Sequence, residues 1–503
     1  MFAVAALALA ACTSDEVALQ QAPAQQDGTP VNFDVYVPRT ATRAGLPGNN
    51  GTEYGVTTAS LQNGVHSTAG FGVFGYYTSN GEYDTNNSTP NFMYNQQVTY
   101  KAGGTLSEWT YEPVKYWPNE YGDAAKSDDL DHVTFFAYAP WVDVTVNTGV
   151  PVIDDTWTDE KKAQEQKLNI TQITKNTETG DPVIKYVVDT KPNTSVDLLW
   201  GVAADDAKVI KMDGSTPQAT PGCPFINIEK PGCVTNAEAK LKWNFKHALA
   251  MLNVQIVMAV DTKTGGDVAP ATYAGASDYQ LGTKGDGTVD KFTKVFLRHI
   301  TFDGGFAMQG ALNLHSETDG VTSVAQAMPN WKDYDGTKEL NFEPVTFYDG
   351  LKDGKEGTTN NIQKNEKPQG LNPILLEKAT ATTWEAKDAG IPTDAFVNLF
   401  DGATNATDPI YVIPSGDKLN VEVLYDVLTQ DEKLAGLLSD AKTHGSAVEN
   451  KIYKEDVFGG NIEAGKKYTL KIIVGLESVK FEAAVTAWDE TTPDQQIVLP
   501  ENK

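Results

Sequence analysis

A cysteine thiol, once ionised, is the strongest nucleophile among the common side chains, and this sequence carries three cysteines, Cys12, Cys223 and Cys233. Cys12 directly follows an apolar run, Met1–Ala11, that ends in Leu9-Ala10-Ala11. That run is too short to span a bilayer as a helix and has the small residues of a signal cleavage site. Cys223 and Cys233 lie in a Pro/Gly loop, Pro221-Gly222-Cys223-Pro224 and Pro231-Gly232-Cys233. An oxidising compartment would permit a disulfide closing that loop, and two free thiols are equally open. Two Cys with no close His leave a metal ligand set incomplete, so no metal is expected there. The six histidines, His66, His132, His247, His299, His315 and His444, are scattered, and His247, flanked by Phe245 and Leu249, reads as structural. The Asp349–Gly357 cluster lacks the register of a calcium loop and reads as a solvated turn. There is no Gly-x-Ser-x-Gly elbow, phosphate loop or His-Glu-x-x-His. The 67 acids would supply carboxylate pairs by chance alone, so pairs carry no signal. The expectation is a protein that is not an enzyme and needs no cofactor.

The elements around these residues are strands. Val31, Phe33, Val35 and Val37 alternate along Val31-Asn32-Phe33-Asp34-Val35-Tyr36-Val37, the period of a half-buried strand. Directly after it come Pro38-Arg39-Thr40-Ala41-Thr42-Arg43-Ala44-Gly45 and a Gly/Asn-rich stretch to Gly55. On spacing alone this is either a removable element or an edge strand with a flexible hairpin loop. Further strand signals lie at Gly70–Tyr77, Asn91–Tyr100, Trp109–Pro118, Val133–Pro140 and Ser195–Gly201. Their aromatic residues read as the core and edges of a β-sandwich, with a glycan-binding platform of Trp109 and Trp117 as the alternative. Ala239–Val257 reads as two strands around a short turn or helical kink, with a domain boundary near Glu238–Leu241. Val295–Ile300, Gly310–Leu314, Tyr411–Pro414, Leu419–Val427 and Lys466–Val474 continue the theme. Ser316–Ser446 holds long polar insertions, and Thr158–Lys167 is read as one short helix. The C-terminus adds the runs Val479–Trp488 and Gln496–Pro500, separated at Asp489–Asp494.

The chain of 503 residues is long enough for two or more domains. Its formal charge of −27, from 67 acidic and 40 basic residues, would repel nucleic acid and an anionic membrane surface.

Leu9-Ala10-Ala11-Cys12 resembles a bacterial lipobox, in which the Cys thiol is acylated and becomes the new N-terminus; the departure is that no Lys or Arg precedes the apolar run. Thr13-Ser14-Asp15-Glu16 resembles the acidic tag of surface-exported lipoproteins. Several stretches together resemble the fimbrillin family, the subunits of type V pili. They are Trp109…Lys115-Tyr116-Trp117-Pro118, Val133–Pro140, Val196–Trp200 and, most telling, Trp243–Leu252. The resemblance runs from Cys12 to the C-terminus, with Ser316–Ser446 least matched.

The resemblance implies an all-β fold of two tandem transthyretin-like β-sandwich domains with long loops and a few short helices. It divides the chain into a signal peptide (1–12), a tether and removable strand (13–43), two sandwiches (44–238 and 239–480) and a donor segment (481–503). It implies a covalent lipid on Cys12 and a cut between Arg43 and Ala44 by an Arg-specific protease, with Arg39 as second choice. Loss of Val31, Phe33, Val35 and Val37 would leave an apolar groove, refilled by the donor residues Val485, Trp488, Ile497, Val498 and Leu499 of another copy. The partners implied are other pilus subunits, the protease, and the outer membrane through the lipid of the precursor, with no nucleic acid. The implied role is a shaft subunit of a cell-surface fimbrium supporting adhesion and biofilm formation. The alternatives are a tip or anchor subunit, or a glycan-binding surface lipoprotein.

Overall fold

The computed structural model describes residues 28–37, 58–63, 70–79, 81–103, 108–118, 131–143, 169–188, 195–205, 220–229, 239–258, 293–315, 321–336, 345–349, 374–375, 397–400, 409–430, 445–474, 479–487 and 495–498. These residues form an all-β protein, as expected, with helix in short pieces such as α1 (Thr58–Asn63) and a 3₁₀ turn at Val324–Gln326. The expected helix at Thr158–Lys167 lies outside the described residues.

In the first half the strands are β1 (Asn32–Tyr36), β2 (Phe71–Thr78), β3 (Met93–Tyr100), β4 (Trp109–Thr110), β5 (His132–Ala139), β6 (Ile170–Ile173), β7 (Val183–Val187), β8 (Leu199–Ala203), β9 (Ile226–Glu229) and β10 (Lys240–His247). There follow β11 (Ala250–Met258), β12 (Thr293–Asp303), β13 (Phe306–Ala307), β14 (Gln309–Asn313), β15 (Asn330–Lys332), β16 (Val345–Asp349), β17 (Ile374–Leu375) and β18 (Val397–Asn398). The last are β19 (Ile410–Pro414), β20 (Asn420–Gln430), β21 (Gly445–Lys454), β22 (Lys466–Val474), β23 (Val479–Ala487) and β24 (Gln495–Val498).

The first sheet runs β2-β3-β4-β1-β10-β8-β5-β9, and β5 also pairs with β2. That extra pairing closes seven of the strands into a ring, with β9 sharing the edge of β5 that β8 uses. Closure explains the composition of β2 and β5, whose residues are almost all buried: both edges are paired and both faces packed. Glycine is needed at 201 in β8, since a Cβ there would lie 2.9 Å from the Trp243 ring and 3.0 Å from the Ala137 Cβ.

The second sheet, β15-β14-β7-β6, joins chain from both halves: β14 pairs antiparallel with β7, Gln309 opposite Val187 through Asn313 opposite Val183. The third runs β13-β19-β11-β22-β23-β24, with β18 also on β11, and the fourth β16-β12-β20-β21, with β17 on β12.

Two apolar cores result. One holds Phe33, Phe71, Phe135, Trp200, Trp243 and Phe245, and also Leu312 and Trp331 from the second sheet. The other lies between the third and fourth sheets and holds Val254, Ile256, Ile300, Phe302, Val421 and Leu470. The chain passes between them with hardly a break, β10 leading through Ala248-Leu249 into β11. Ala248 is pinned there, its N–H donating to Leu198 O at 2.8 Å and its carbonyl accepting from Trp331 Nε1 at 2.8 Å.

One device recurs in both cores. β1 runs parallel to β10, residues 32–36 beside 240–244, and β11 runs parallel to β22, residues 251–258 beside 467–474. β23 and β24 follow β22 as two further antiparallel strands, with β24 at the end of the sheet.

Candidate functional site

The alternation of Val31, Phe33, Val35 and Val37 is realised as written. Val31, Phe33 and Val37 are buried, Val35 is partly buried against the same core, and Tyr36 on the other face is exposed. Fully burying such a side chain is worth about 1.5–3 kcal/mol. Phe33 sits deepest, edge-on to Phe71, Tyr111 and Phe135 with ring centroids 6.0, 5.4 and 6.5 Å away.

Two walls hold β1. One is β10, in a five-residue parallel register from Asn32 opposite Lys240 to Tyr36 opposite Asn244. The other is the aromatic run 109–117. Phe33 pairs with Trp109, Val31 N donates to Lys115 O at 2.9 Å, Trp117 N donates to Thr29 O at 3.0 Å, and the Tyr111 hydroxyl donates to Val31 O at 2.8 Å. Burial pushes that hydroxyl well above the ordinary tyrosine range, so it stays a donor. β1 therefore bridges β4 and β10 in the ring. Without it each of those strands has a bare edge, and the slot between them exposes the Phe33 pocket.

The wall 109–117 also corrects an expectation. Trp109 and Trp117 are each only 5% exposed, because their rings pack on Phe71, Tyr100 and Phe135. They offer no stacking face to a glycan.

Val37 and Thr58, which flank residues 38–57, are hydrogen-bonded to each other. Val37 N donates to Thr58 Oγ1 at 3.2 Å, and the same hydroxyl donates to Val37 O at 3.2 Å. Arg39, Arg43 and Ala44 fall between these anchors, in residues 38–57, outside the described residues. Cys12 and Cys233 are also outside them, and Cys223 is buried.

At the other end of the chain the strand that opens the expected donor segment is docked on its own core. In β23, Phe481 and Ala483 are buried and Val485 is partly buried, all against the second core. In β24, Ile497 is opposite Ala483 and Val498 opposite Glu482. Trp488 and Leu499 lie outside the described residues.

Among the described residues, His247, Asp181 and Lys246 are held within the scaffold. His247 Nδ1 lies 2.7 Å from Asp197 Oδ2, and the two side chains are 3% and 1% exposed, sealed from any substrate. Asp181 accepts from Tyr83 Oη at 2.9 Å, from Asn313 Nδ2 at 2.9 Å and lies 3.1 Å from His315 Nδ1. Burial alone would raise this carboxyl, but the hydrogen bonds and the His315 charge together hold it below the ordinary range. Lys246 Nζ reaches the carbonyls of Val324 (2.9 Å) and Ala327, tying β10 to the 3₁₀ turn. Among the described residues no cluster of three His, Cys, Asp or Glu could hold a metal.

Sequence reasoning read both β1 and β10 as strands but missed that they are neighbours, and it missed Tyr111 as a latch on β1. Only the aromatic density of 109–117 hinted at that wall.

No family model matches the chain. Over 143 residues it is 33% identical to a protein named fimbrium subunit Fim1C from Phocaeicola vulgatus. That match spans 28% of this chain and 30% of the relative, so the shared stretch is under a third of the relative's length. Among solved structures, a fimbrial protein from Bacteroides vulgatus is 17% identical, with a TM-score of 0.43 over 91% of this chain and 99% of that one. The resemblance to fimbrial subunits drawn from the chain's own residues is thus met by a curated relative of the same kind.

Proposed function

We propose that this chain is a fimbrillin-type shaft subunit that polymerises by exchanging a strand, each copy lending a C-terminal strand to the slot its neighbour loses. The observation that carries the reading is the place of β1, the bridging member of a closed ring, followed at once in the sequence by Arg39 and Arg43. In this reading the two cores are tandem transthyretin-like sandwiches. The precursor is exported as a lipoprotein, held at the outer membrane by acyl chains on Cys12 and cut by an Arg-specific protease between Arg43 and Ala44.

The physical chain of events is short. A cut between the two anchors, within residues 38–57, removes the covalent link from β1 to the rest of the ring and leaves its packing in place. β1 then dissociates with the lipid-bearing piece. The emptied slot exposes apolar surface and the unpaired N–H and C=O groups of β4 and β10, which favour a replacement strand. The segment carrying Val485, Trp488, Ile497, Val498 and Leu499 supplies it. Donor and slot are different surfaces, so repetition gives an open head-to-tail fibre at the cell surface. Arginine replacement tests the first step. Arg43→Ala is expected to leave the N-terminal piece attached after protease treatment and to abolish fibres. Normal processing of that variant would move the cut to Arg39 or remove it from the account.

A further inference from the structure

The strand that lines up with β1 is β23, and the likeness is residue by residue. Residues 31–37 read Val-Asn-Phe-Asp-Val-Tyr-Val, and residues 479–485 read Val-Lys-Phe-Glu-Ala-Ala-Val. Val, Phe and Val occupy the same first, third and seventh positions, and an acid occupies the fourth in both. We propose that β23 replaces β1 in a neighbouring copy in one fixed register, Val479, Phe481, Ala483 and Val485 taking the places of Val31, Phe33, Val35 and Val37. This inference rests on the strand-exchange reading above, moves the slot-filling positions from the 485–499 set to β23 with only Val485 in common, and fixes the strand's polarity and register.

Four observations support the register. The face is right: Phe481 and Ala483 belong to the second core and Val485 packs against it, the same alternate positions that β1 turns inward, with Ala484 also buried. The polarity is set, because matching the pattern in the same chain direction makes β23 parallel to β10, as β1 is. The charges fit at the fourth position. Asp34 is opposite Lys242 in the backbone register of the ring, and Glu482 is opposite Lys471 in that of β22 and β23, so an acid stands at a lysine's register position in both sheets. Finally, β23 is additional to the repeated plan. The parallel pair β1–β10 spans the first core, the parallel pair β11–β22 spans the second, and β23 is appended outside that pair. It can leave while β22 keeps β11 on its other edge.

The substitution has one disfavoured contact, Lys480 opposite Lys240 where Asn32 stands now. Ala483 for Val35 falls at the one inward position of β1 that is only partly buried, where a smaller side chain is tolerated. Phe481 supplies the ring for the pocket of Phe71, Tyr111 and Phe135. At home it is held in the second core, so the same residue keeps the precursor from donating early.

Phe481→Ala would disturb the strand's own core, so cross-linking is the cleaner test. Register partners in neighbouring strands are about 4.8 Å apart, within disulfide reach. Glu482→Cys is combined in the full chain with Lys240→Cys, Lys242→Cys or Asn244→Cys, cut with an Arg-specific protease, oxidised and run without reductant. The wild-type chain, with its three native cysteines, gives the background. Only the 482/242 pair is expected to give a ladder of multimers that collapses on reduction. A ladder from 482/240 or 482/244, or fibres seen by microscopy with no ladder from any pair, overturns the register while leaving exchange standing. Failure of the cut wild-type chain to form fibres overturns exchange itself and this inference with it.

Discussion

Phe33 concentrates what β1 contributes, because three aromatic rings meet its own. Phe33→Ala removes that ring and leaves a void among side chains that cannot fully close in. The expected loss is about 3–5 kcal/mol in the uncut chain, measured as a lowered urea midpoint at unchanged slope. Asp181 makes a different prediction. Its carboxyl is held below the ordinary range when folded, so unfolding takes up a proton and stability falls as pH falls. The contribution is complete above the ordinary carboxylate value, about 3.9, and drains away as pH drops through the lower folded value. Asp181→Asn is expected to be about 1–3 kcal/mol less stable at pH 7, with the gap to wild type narrowing as pH falls below about 4. Parallel melting curves across that range check it.

At the scale of elements, β1 was legible and its setting was not. Alternation of Val31, Phe33, Val35 and Val37 reports which face is buried, since side chains on a strand point to opposite sides in turn. It carries no record of which strand lies alongside, and β10 is some two hundred residues away in the chain. The same limit hid the pairing of β14 with β7 and the docking of β23 on β22. Trp109 and Trp117 were misread in the glycan alternative because an aromatic beside turn residues looks alike whether its ring faces core or solvent. His247 was read correctly because its apolar flanks on both sides leave little room for a solvent-facing role. The ring makes its own prediction about exchange. In the uncut chain the amides of Leu241, Trp243 and Phe245 are paired or enclosed and should resist hydrogen exchange. After the cut and loss of β1 they should exchange faster, and in fibres they should be protected again. Protection that is unchanged by loss of β1 would mean that β10 finds another partner within the same copy.

The described residues form two cores, linked by the nearly continuous strand pair β10 into β11 and by β14, which returns to pair with β7, with a slot-closing strand near one end of the sequence and an appended strand pair near the other. That arrangement suits head-to-tail growth, since the lending and receiving surfaces belong to different cores. The net charge of −27 also matters at this scale, because like-charged copies repel at long range and only a specific, deeply packed contact overcomes it. The most direct test follows the purified full chain after addition of an Arg-specific protease, with mass spectrometry of the released N-terminal piece and electron microscopy of the remainder on one time course. The account predicts that the piece ending at Arg43 leaves and that fibres grow at the rate of its departure. Fibres that form with that piece still bound, or a chain that loses it and stays monomeric, would contradict the account.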